Sequence, residues 1–151
     1  MNKFSQVALL IFAFCLLGSL TVNPEKQLAK IKKTLEKELK VDGLLIKQST
    51  KPGAFELWKG ETPYGSLHFR RIVPKSEPME YAVAFDRKGR IVFLKILNYS
   101  SSYGVQITLP KWSRKFLGKT TDELEVGRTV DGVSGATLSV KGVVGDLKEI
   151  K

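Results

Sequence analysis

The alternation of apolar and polar positions indicates an amphipathic helix that follows an apolar N-terminal run. Apolar residues recur at spacings of three and four between residues 24 and 40, which predicts a helix with one apolar face. Pro24 after Asn23 is typical of a helix start, and Asp42-Gly43 is typical of the sequence that follows a helix end. The apolar face consists of Leu28, Ile31, Leu35 and Leu39.

Short apolar runs separated by Pro and Gly predict an antiparallel sheet in the middle of the chain. Strands are predicted from residue 44 onward, at 55–58, at 66–73, at 81–85 and at 91–97. Turns are predicted at 52–53, 59–60, 63–65 and 86–90, the last a tight hairpin with a glycine of positive φ. The run 91–97 is apolar on both faces apart from Lys95, which predicts a central strand covered on both sides.

Two further helices are predicted in the C-terminal part. Pro110 and Gly118 bound a short helix at 110–117, with Pro in its first turn and Gly just after its end. From residue 140 apolar positions recur at helical spacing, which predicts a closing helix that begins near Ser139. Its apolar face consists of Val140, Val143, Val144, Leu147 and Ile150. The predicted fold class is therefore α+β: a mainly antiparallel sheet packed with an N-terminal amphipathic helix, a short helix near 110–117 and a C-terminal helix.

The first 22 residues differ in character from the rest of the chain. Lys3 provides a short positive start, and the run from Val7 to Leu20 is almost wholly apolar. A run of this length is typical of a signal peptide, while the longer stretch 4–22 approaches the roughly 20 residues that span a bilayer. We therefore expect a signal peptide or membrane anchor at 1–22 and one exported domain at 23–151, periplasmic or at the cell surface.

Composition excludes several kinds of site from that domain. The chain of 151 residues contains one cysteine, Cys15 in the apolar N-terminal run, and one histidine, His68. Disulfides, thiolate or multi-histidine metal sites and a Ser-His-Asp triad are therefore not expected. His68 falls in an alternating, strand-like stretch, which favours a structural role. No Gly-x-Gly-x-x-Gly follows a predicted strand, so a nicotinamide site is not expected either.

The formal net charge of +10 favours an anionic partner. Nucleic acid is not expected, because the domain is predicted to be exported and no basic run with interleaved aromatics is present. The polar face of the N-terminal helix carries Lys26, Lys30, Lys32, Lys33, Lys37 and Lys40. Two interpretations of that face stay open: a solvated helix surface and a contact with anionic membrane headgroups.

A run rich in glycine and hydroxyl groups, DGVSGATLS at residues 131–139, precedes the predicted last helix. A helix that begins near Ser139 would place free backbone N–H groups and the positive end of its dipole beside the Thr137 hydroxyl. Such a helix start is a favourable position for a phosphate group. The alternative is an ordinary glycine-containing turn before a C-terminal helix.

This run resembles the flavinylation motif of the FMN-binding domain family, which includes the flavin subunits of the sodium-pumping NADH:quinone reductase and of the Rnf complex. The motif is roughly Asp, two residues, Ser or Thr, Gly-Ala-Thr, any residue, then Ser or Thr. Its fixed positions are met by Asp131, Ser134, Gly135, Ala136, Thr137 and Ser139. The order of predicted elements from about residue 80 also resembles the family. Residues 100–104, Ser-Ser-Ser-Tyr-Gly, depart from the Glu-Thr-Pro-Gly type loop that many members carry near the flavin.

The resemblance implies FMN attached covalently through its phosphate to the hydroxyl of Thr137. A divalent-metal-dependent flavin transferase that uses FAD as donor would make this bond. The implied activity is electron transfer outside the cytoplasm by a carrier, rather than a stand-alone enzyme, with membrane or periplasmic redox proteins as donor and acceptor. A second hypothesis is a membrane-associated binding or regulatory module with loosely bound FMN or none.

The small and hydroxyl-bearing residues of the motif have expected roles around the phosphate. Gly135 permits close approach of the cofactor, and Ala136 adds little bulk beside the acceptor hydroxyl. Ser134 and Ser139 are expected to donate hydrogen bonds to phosphate oxygens or to cap the last helix.

Two other sets of residues are assigned around the motif. Asp131 and Gly132 are expected to serve turn geometry or recognition by the transferase, because an acid is a poor neighbour for a phosphate. The candidates for flanking the isoalloxazine ring are Leu138, Tyr99, Tyr103 and Trp112. Core packing is the alternative for each of the aromatic residues.

Overall fold

The computed structural model describes residues 24–150. The predicted signal peptide or anchor at 1–22 and the predicted helix cap at Asn23 lie outside the described residues. Among residues 24–150, the helices are too short or too polar to cross a bilayer.

The described chain forms a five-stranded sheet with helices on both of its faces. The strands are β1 (Leu44–Gln48), β2 (Ala54–Lys59), β3 (Thr62–Ile72), β4 (Met79–Asp86) and β5 (Ile91–Tyr99). The α-helices are α1 (Pro24–Leu39), α2 (Pro110–Ser113) and α3 (Thr137–Lys148). Short 3-10 helices lie at Val105–Thr108, Arg114–Phe116 and Thr121–Glu123. The short helix predicted at 110–117 is thus one α-helical turn continued by a 3-10 turn.

The sheet is a simple meander in the order β1-β2-β3-β4-β5, and every pair of neighbours is antiparallel. This confirms the predicted α+β class. The predicted β4–β5 hairpin is also confirmed: Asp86 Oδ1 accepts the N–H groups of Lys88 and Arg90 at 2.8 and 2.9 Å. Gly89 takes the positive φ of 73° that the tight turn requires.

Strand β3 begins at Thr62, so the turn predicted at 63–65 is wrong. The register between β2 and β3 shifts at Leu57/Trp58, and the pairing of β3 with β4 begins only at Gly65. Pro63 therefore lies where its strand has one hydrogen-bonded neighbour, a position that tolerates the missing N–H. Residues 63–65, which had suggested a turn, are therefore accommodated within the strand beside this register shift.

Strand β5 lies at the edge of the sheet, so the prediction of a central strand is wrong. Its apolar character has another cause, since both of its faces are covered: Phe93 belongs to one core cluster and Leu94 to the other. The start of its free edge is also occupied, because Ile91 exchanges two backbone hydrogen bonds of 2.8 Å with the segment Gly118–Lys119.

Alternate residues of β4 belong to two separate core clusters, which therefore occupy opposite faces of the sheet. Ala82 and Ala84 face the cluster that includes Ile31 and Leu35 of α1. The other cluster contains Tyr81, Val83 and Phe85 together with Val140, Val143, Val144 and Leu147 of α3. The sheet thus separates α1 and its lysines from the segment that contains residues 131–139.

Candidate functional site

Helix α3 begins at Thr137, two residues before the predicted start. Ala136 occupies the N-cap position with φ −128° and makes no side-chain capping hydrogen bond. Ser134 and Ser139 therefore do not cap the helix. Ser134 lies two residues before the N-cap, and Ser139 is already the third helical residue. Thr137 is exposed at the first helical position, where backbone N–H groups lack intrahelical partners.

The loop at 100–104 packs directly on the motif through two glycines with positive φ. A Cβ on Gly104 (φ 68°) would lie 2.3 Å from Ala136 Cβ, and a Cβ on Gly135 (φ 80°) would lie 3.2 Å from Tyr103 Cβ. Ala136 itself is buried. The backbones of the loop and of the motif therefore lie closer together than side chains at Gly104 and Gly135 would allow.

The backbone of Tyr103 is held by two side chains of its own neighbourhood. Tyr99 Oη donates to the Tyr103 carbonyl at 2.8 Å and lies 3.5 Å from Ser139 Oγ of α3. Ser101 Oγ accepts the Tyr103 N–H at 3.2 Å. The side chain of Tyr103 is nevertheless 76% exposed. The Tyr103 ring is thus exposed to solvent, while hydrogen bonds fix the position of its backbone.

A cleft of about 480 Å³ opens between this loop, the start of α3 and the segment 74–78. That volume falls within the range of small-molecule sites, roughly 300–1,000 Å³. Of the predicted site residues, seven line it: Tyr99, Tyr103, Gly135, Ala136, Thr137, Leu138 and Ser139. The remaining four, Trp112, Asp131, Gly132 and Ser134, are not part of its lining.

The wall formed by residues 74–78 was not among the predicted site residues. Helix α3 approaches it at Gly142, where a Cβ would lie 3.1 Å from Pro74 Cβ and Cγ. A glycine inside a helix costs about 1 kcal/mol relative to Ala, so Gly142 was the available signal of a close contact. Among the described residues that line the cleft, Lys75 is the one cation and Glu77 the one carboxylate.

Trp112 packs in the core, the alternative that was left open for it. Its ring meets that of Phe116 edge to face with centroids 4.8 Å apart, and its Nε1 donates to the Asp131 carbonyl at 3.3 Å. Trp112 therefore supports the start of the motif without lining the cleft.

Asp131 lies at the surface and pairs with Lys115 at 2.8 Å. The hydrogen bond from Lys115, together with the positive charges of Lys115 and Lys111, lowers the pKa of the Asp131 carboxyl. Both Asp131 and Gly132 are exposed outside the cleft, which leaves them accessible to another protein.

A polar network beneath α3 was not predicted from the sequence. Arg70 Nε and Nη2 donate to the two carboxylate oxygens of Asp146 at 2.9 and 2.6 Å, and Tyr81 Oη donates to Asp146 Oδ2 at 2.5 Å. Burial opposes ionisation of Asp146, but the hydrogen bonds from Arg70 and Tyr81 outweigh it and lower the pKa of its carboxyl. Burial, and then the bond to Asp146, raises the pKa of Tyr81. A Tyr hydroxyl next to the apolar run 82–85 was the signal that a buried partner exists.

His68 is half-buried in β3, in keeping with the structural role expected for it. Its Nε2 lies 3.0 Å from Ser66 Oγ, and its ring meets Phe85 edge to face. Burial, and then the charges of Arg70 and Lys51, lowers the pKa of the imidazole. Within residues 24–150, no three or more His, Cys, Asp or Glu side chains are grouped so that they could hold a metal ion.

Gly104→Ala should destabilise the fold by about 3 kcal/mol, because the new methyl group combines overpacking against Ala136 with a strained positive φ. Gly118→Ala is the matched control, since Gly118 has φ 81° but open space around its Cβ position; its cost should be near 1 kcal/mol. Urea unfolding measures both values. Equal losses would contradict the close packing of the loop on the motif.

Comparison with known proteins identifies the family of the chain. A family model described as the FMN-binding domain matches residues 75–150, half of the chain. No curated protein matches the chain. The matched half contains α3, the loop at 100–104 and almost all of the cleft lining. The chain belongs to the FMN-binding domain family, and FMN is its cofactor.

Proposed function

We propose that the protein is an electron carrier that holds FMN through a phosphoester bond between the flavin phosphate and Thr137 Oγ1. The observation that carries the proposal is the position of Thr137. Its exposed side chain lies in the first turn of α3 and lines the cleft of the domain that the family model matches. A hydroxyl in this position is open to an enzyme and adjacent to space for a cofactor.

The residues around Thr137 fit a phosphate group. Helix α3 has 12 residues, and its N-terminus favours an anion by about 0.3–1 kcal/mol. Ser139 and Lys75 line the same cleft and would contribute a hydroxyl donor and a positive charge. Gly104, which has no side chain, packs on Ala136 directly before the acceptor residue. These groups together would hold the phosphate end of FMN.

The apolar side chains of the cleft fit the ring end of the cofactor. Tyr99, Tyr103 and Leu138 line the cleft and would flank the isoalloxazine ring, whereas Trp112 is committed to the core. Bound FMN supplies one-electron and two-electron chemistry. The chain's own residues orient the cofactor and fix its attachment point.

We propose that a separate flavin transferase makes the attachment, with FAD as donor and a divalent metal ion. The Thr137 oxygen forms a bond to the phosphorus on the FMN side of FAD, the bond between the two phosphates breaks, and AMP leaves. The proton of the hydroxyl passes to a base of the transferase. Asp131 and Gly132, which are exposed beside the cleft, would be part of the surface that the transferase recognises.

We also propose that the domain works outside the cytoplasm, with membrane or periplasmic redox proteins as donor and acceptor. The apolar segment within residues 1–22 supports export or anchoring. The lysines of α1 lie on the sheet face opposite to the cleft. A contact of those lysines with anionic headgroups would therefore leave the cleft facing away from the membrane.

The direct test is co-expression of the full chain with a flavin transferase. The intact mass of the denatured protein should increase by FMN less one water, and the unfolded band should fluoresce as a flavin. Protein made without the transferase is the control and should lack both signals. A colourless, unmodified product would instead support the hypothesis of a module that binds FMN loosely or not at all. The same mass measurement on protein from its native membrane or export fraction gives the mature N-terminus.

A further inference from the structure

Exposed apolar side chains are concentrated in residues 103–117 and at the start of α3. Five large ones are more than one-third exposed in two segments, namely Tyr103, Val105, Leu109, Leu117 and Leu138. Among the other side chains of residues 27–150, only Leu45 and Val73 are comparably exposed. Single exposed apolar residues are ordinary, but a concentration of them usually marks an interaction site.

The two segments that carry these residues contact each other at three places. Gly104 packs on Ala136, Trp112 Nε1 donates to the Asp131 carbonyl at 3.3 Å, and Lys115 pairs with Asp131 at 2.8 Å. We name the surface made by residues 103–117 and 131–138 the docking face. Tyr103 and Leu138 belong both to this face and to the cleft lining, so this part of the face adjoins the cleft.

The docking face is also cationic. Residues 103–117 contain Lys111, Arg114 and Lys115 and lack Asp and Glu, and all three cations are exposed. Asp131 neutralises one of them. The face therefore combines apolar side chains with an excess of positive charge.

The lysine-rich surface of α1 has a different character. Its lysines are interspersed with Glu36 and Glu38, and Lys32 lies 4.0 Å from the Glu36 carboxylate. The described side chains of α1 add no exposed large apolar residue. Net charge alone therefore does not distinguish the two surfaces, whereas the combination of apolar and cationic groups does.

We propose that the docking face binds the acidic surface of a protein partner at the mouth of the cleft. This inference rests on the proposed function, in which that partner exchanges electrons with the FMN. Weak electron-transfer complexes use small interfaces, and complementary charge accelerates their formation. Tyr103 suits an anchoring role, because Tyr99 and Ser101 already hold its backbone and little further ordering is needed on binding.

The test uses the full-length protein and a short oligoglutamate peptide as the acidic probe. The double variant Lys111→Glu, Arg114→Glu should weaken peptide binding by roughly tenfold or more. The double variant Lys33→Glu, Lys37→Glu on α1 changes the net charge equally and should weaken binding less than about twofold. NMR shifts of the amides should concentrate in residues 103–117 and 131–138.

Equal weakening by the two double variants would overturn the proposal, because binding would then follow net charge alone. Binding to anionic lipid vesicles through Lys111 and Arg114, with no peptide binding, would also overturn it in favour of a membrane surface. Wild-type protein made without the flavin transferase separates the two proposals, since protein without attached FMN should bind the peptide as the flavinylated protein does. Flavin that persists in Thr137→Ala would contradict the proposed attachment and leave the docking face supported.

Discussion

Thr137→Ala should abolish covalent attachment of FMN completely, while Thr137→Ser should retain it. Alanine has no hydroxyl to form the phosphoester, whereas serine keeps an oxygen in the same place. The fold should survive either change, because Thr137 is exposed, alanine is a strong helix former, and surface substitutions usually change stability by less than about 0.5 kcal/mol. The intact mass of denatured protein after co-expression with a flavin transferase measures the outcome.

The neighbouring hydroxyls provide the controls for this assignment. Ser134→Ala should remain fully modified, since Ser134 does not line the cleft. Ser139→Ala should also carry the flavin mass, because Ser139 is proposed to contact the phosphate without being bonded to it. A flavin adduct on Thr137→Ala would assign the bond to another hydroxyl, and peptide mapping would then identify that residue. Circular dichroism of each variant establishes that loss of flavin is not loss of fold.

Features set by local sequence could be predicted. The stripe that contains Ile31 and Leu35 specifies α1, and Asp86 with Gly89 specifies the β4–β5 hairpin, because the interactions involved lie within a few residues. The stripe of α3 likewise identified the buried face of the last helix. It did not identify the helix start, because Thr137 to Ser139 precede the first fully buried position and Ala136 gives no capping signal.

Features set by contacts between distant segments could not be predicted. The apolar composition of β5 indicates that both of its faces are covered, but it does not indicate how many strands pair with it. The edge position of β5 could therefore not be predicted. The wall at 74–78 reaches the cleft through the contact of Pro74 with Gly142, which are far apart in sequence. The motif residues were assigned through the resemblance to a family, and the cleft around them depends on tertiary packing.

Asp146→Ala should destabilise the protein by about 2–4 kcal/mol. Removing one member of a buried ion pair costs about 3–5 kcal/mol, because its partner stays buried without compensation. The lower value applies here since the Arg70 side chain is 36% exposed and solvent screens its charge. Tyr81, which is fully buried, would also lose its acceptor. Glu125→Ala is the control: its pair with Arg128 is exposed on both sides and should contribute less than about 1 kcal/mol.

Asp146→Asn should cost stability in a pH-dependent way. The pKa of Asp146 is lowered on folding from its ordinary value of 3.8, so the ionised carboxylate stabilises the native state above that value. This contribution should be lost as the pH falls through the still lower pKa of the folded protein. Urea unfolding of wild type and Asp146→Asn should therefore give a constant difference from neutral pH to mildly acidic pH, which shrinks only below an ordinary aspartate pKa. A difference that stays constant into that acidic range would mean that hydrogen-bond geometry, and not the charge of Asp146, joins α3 to the sheet.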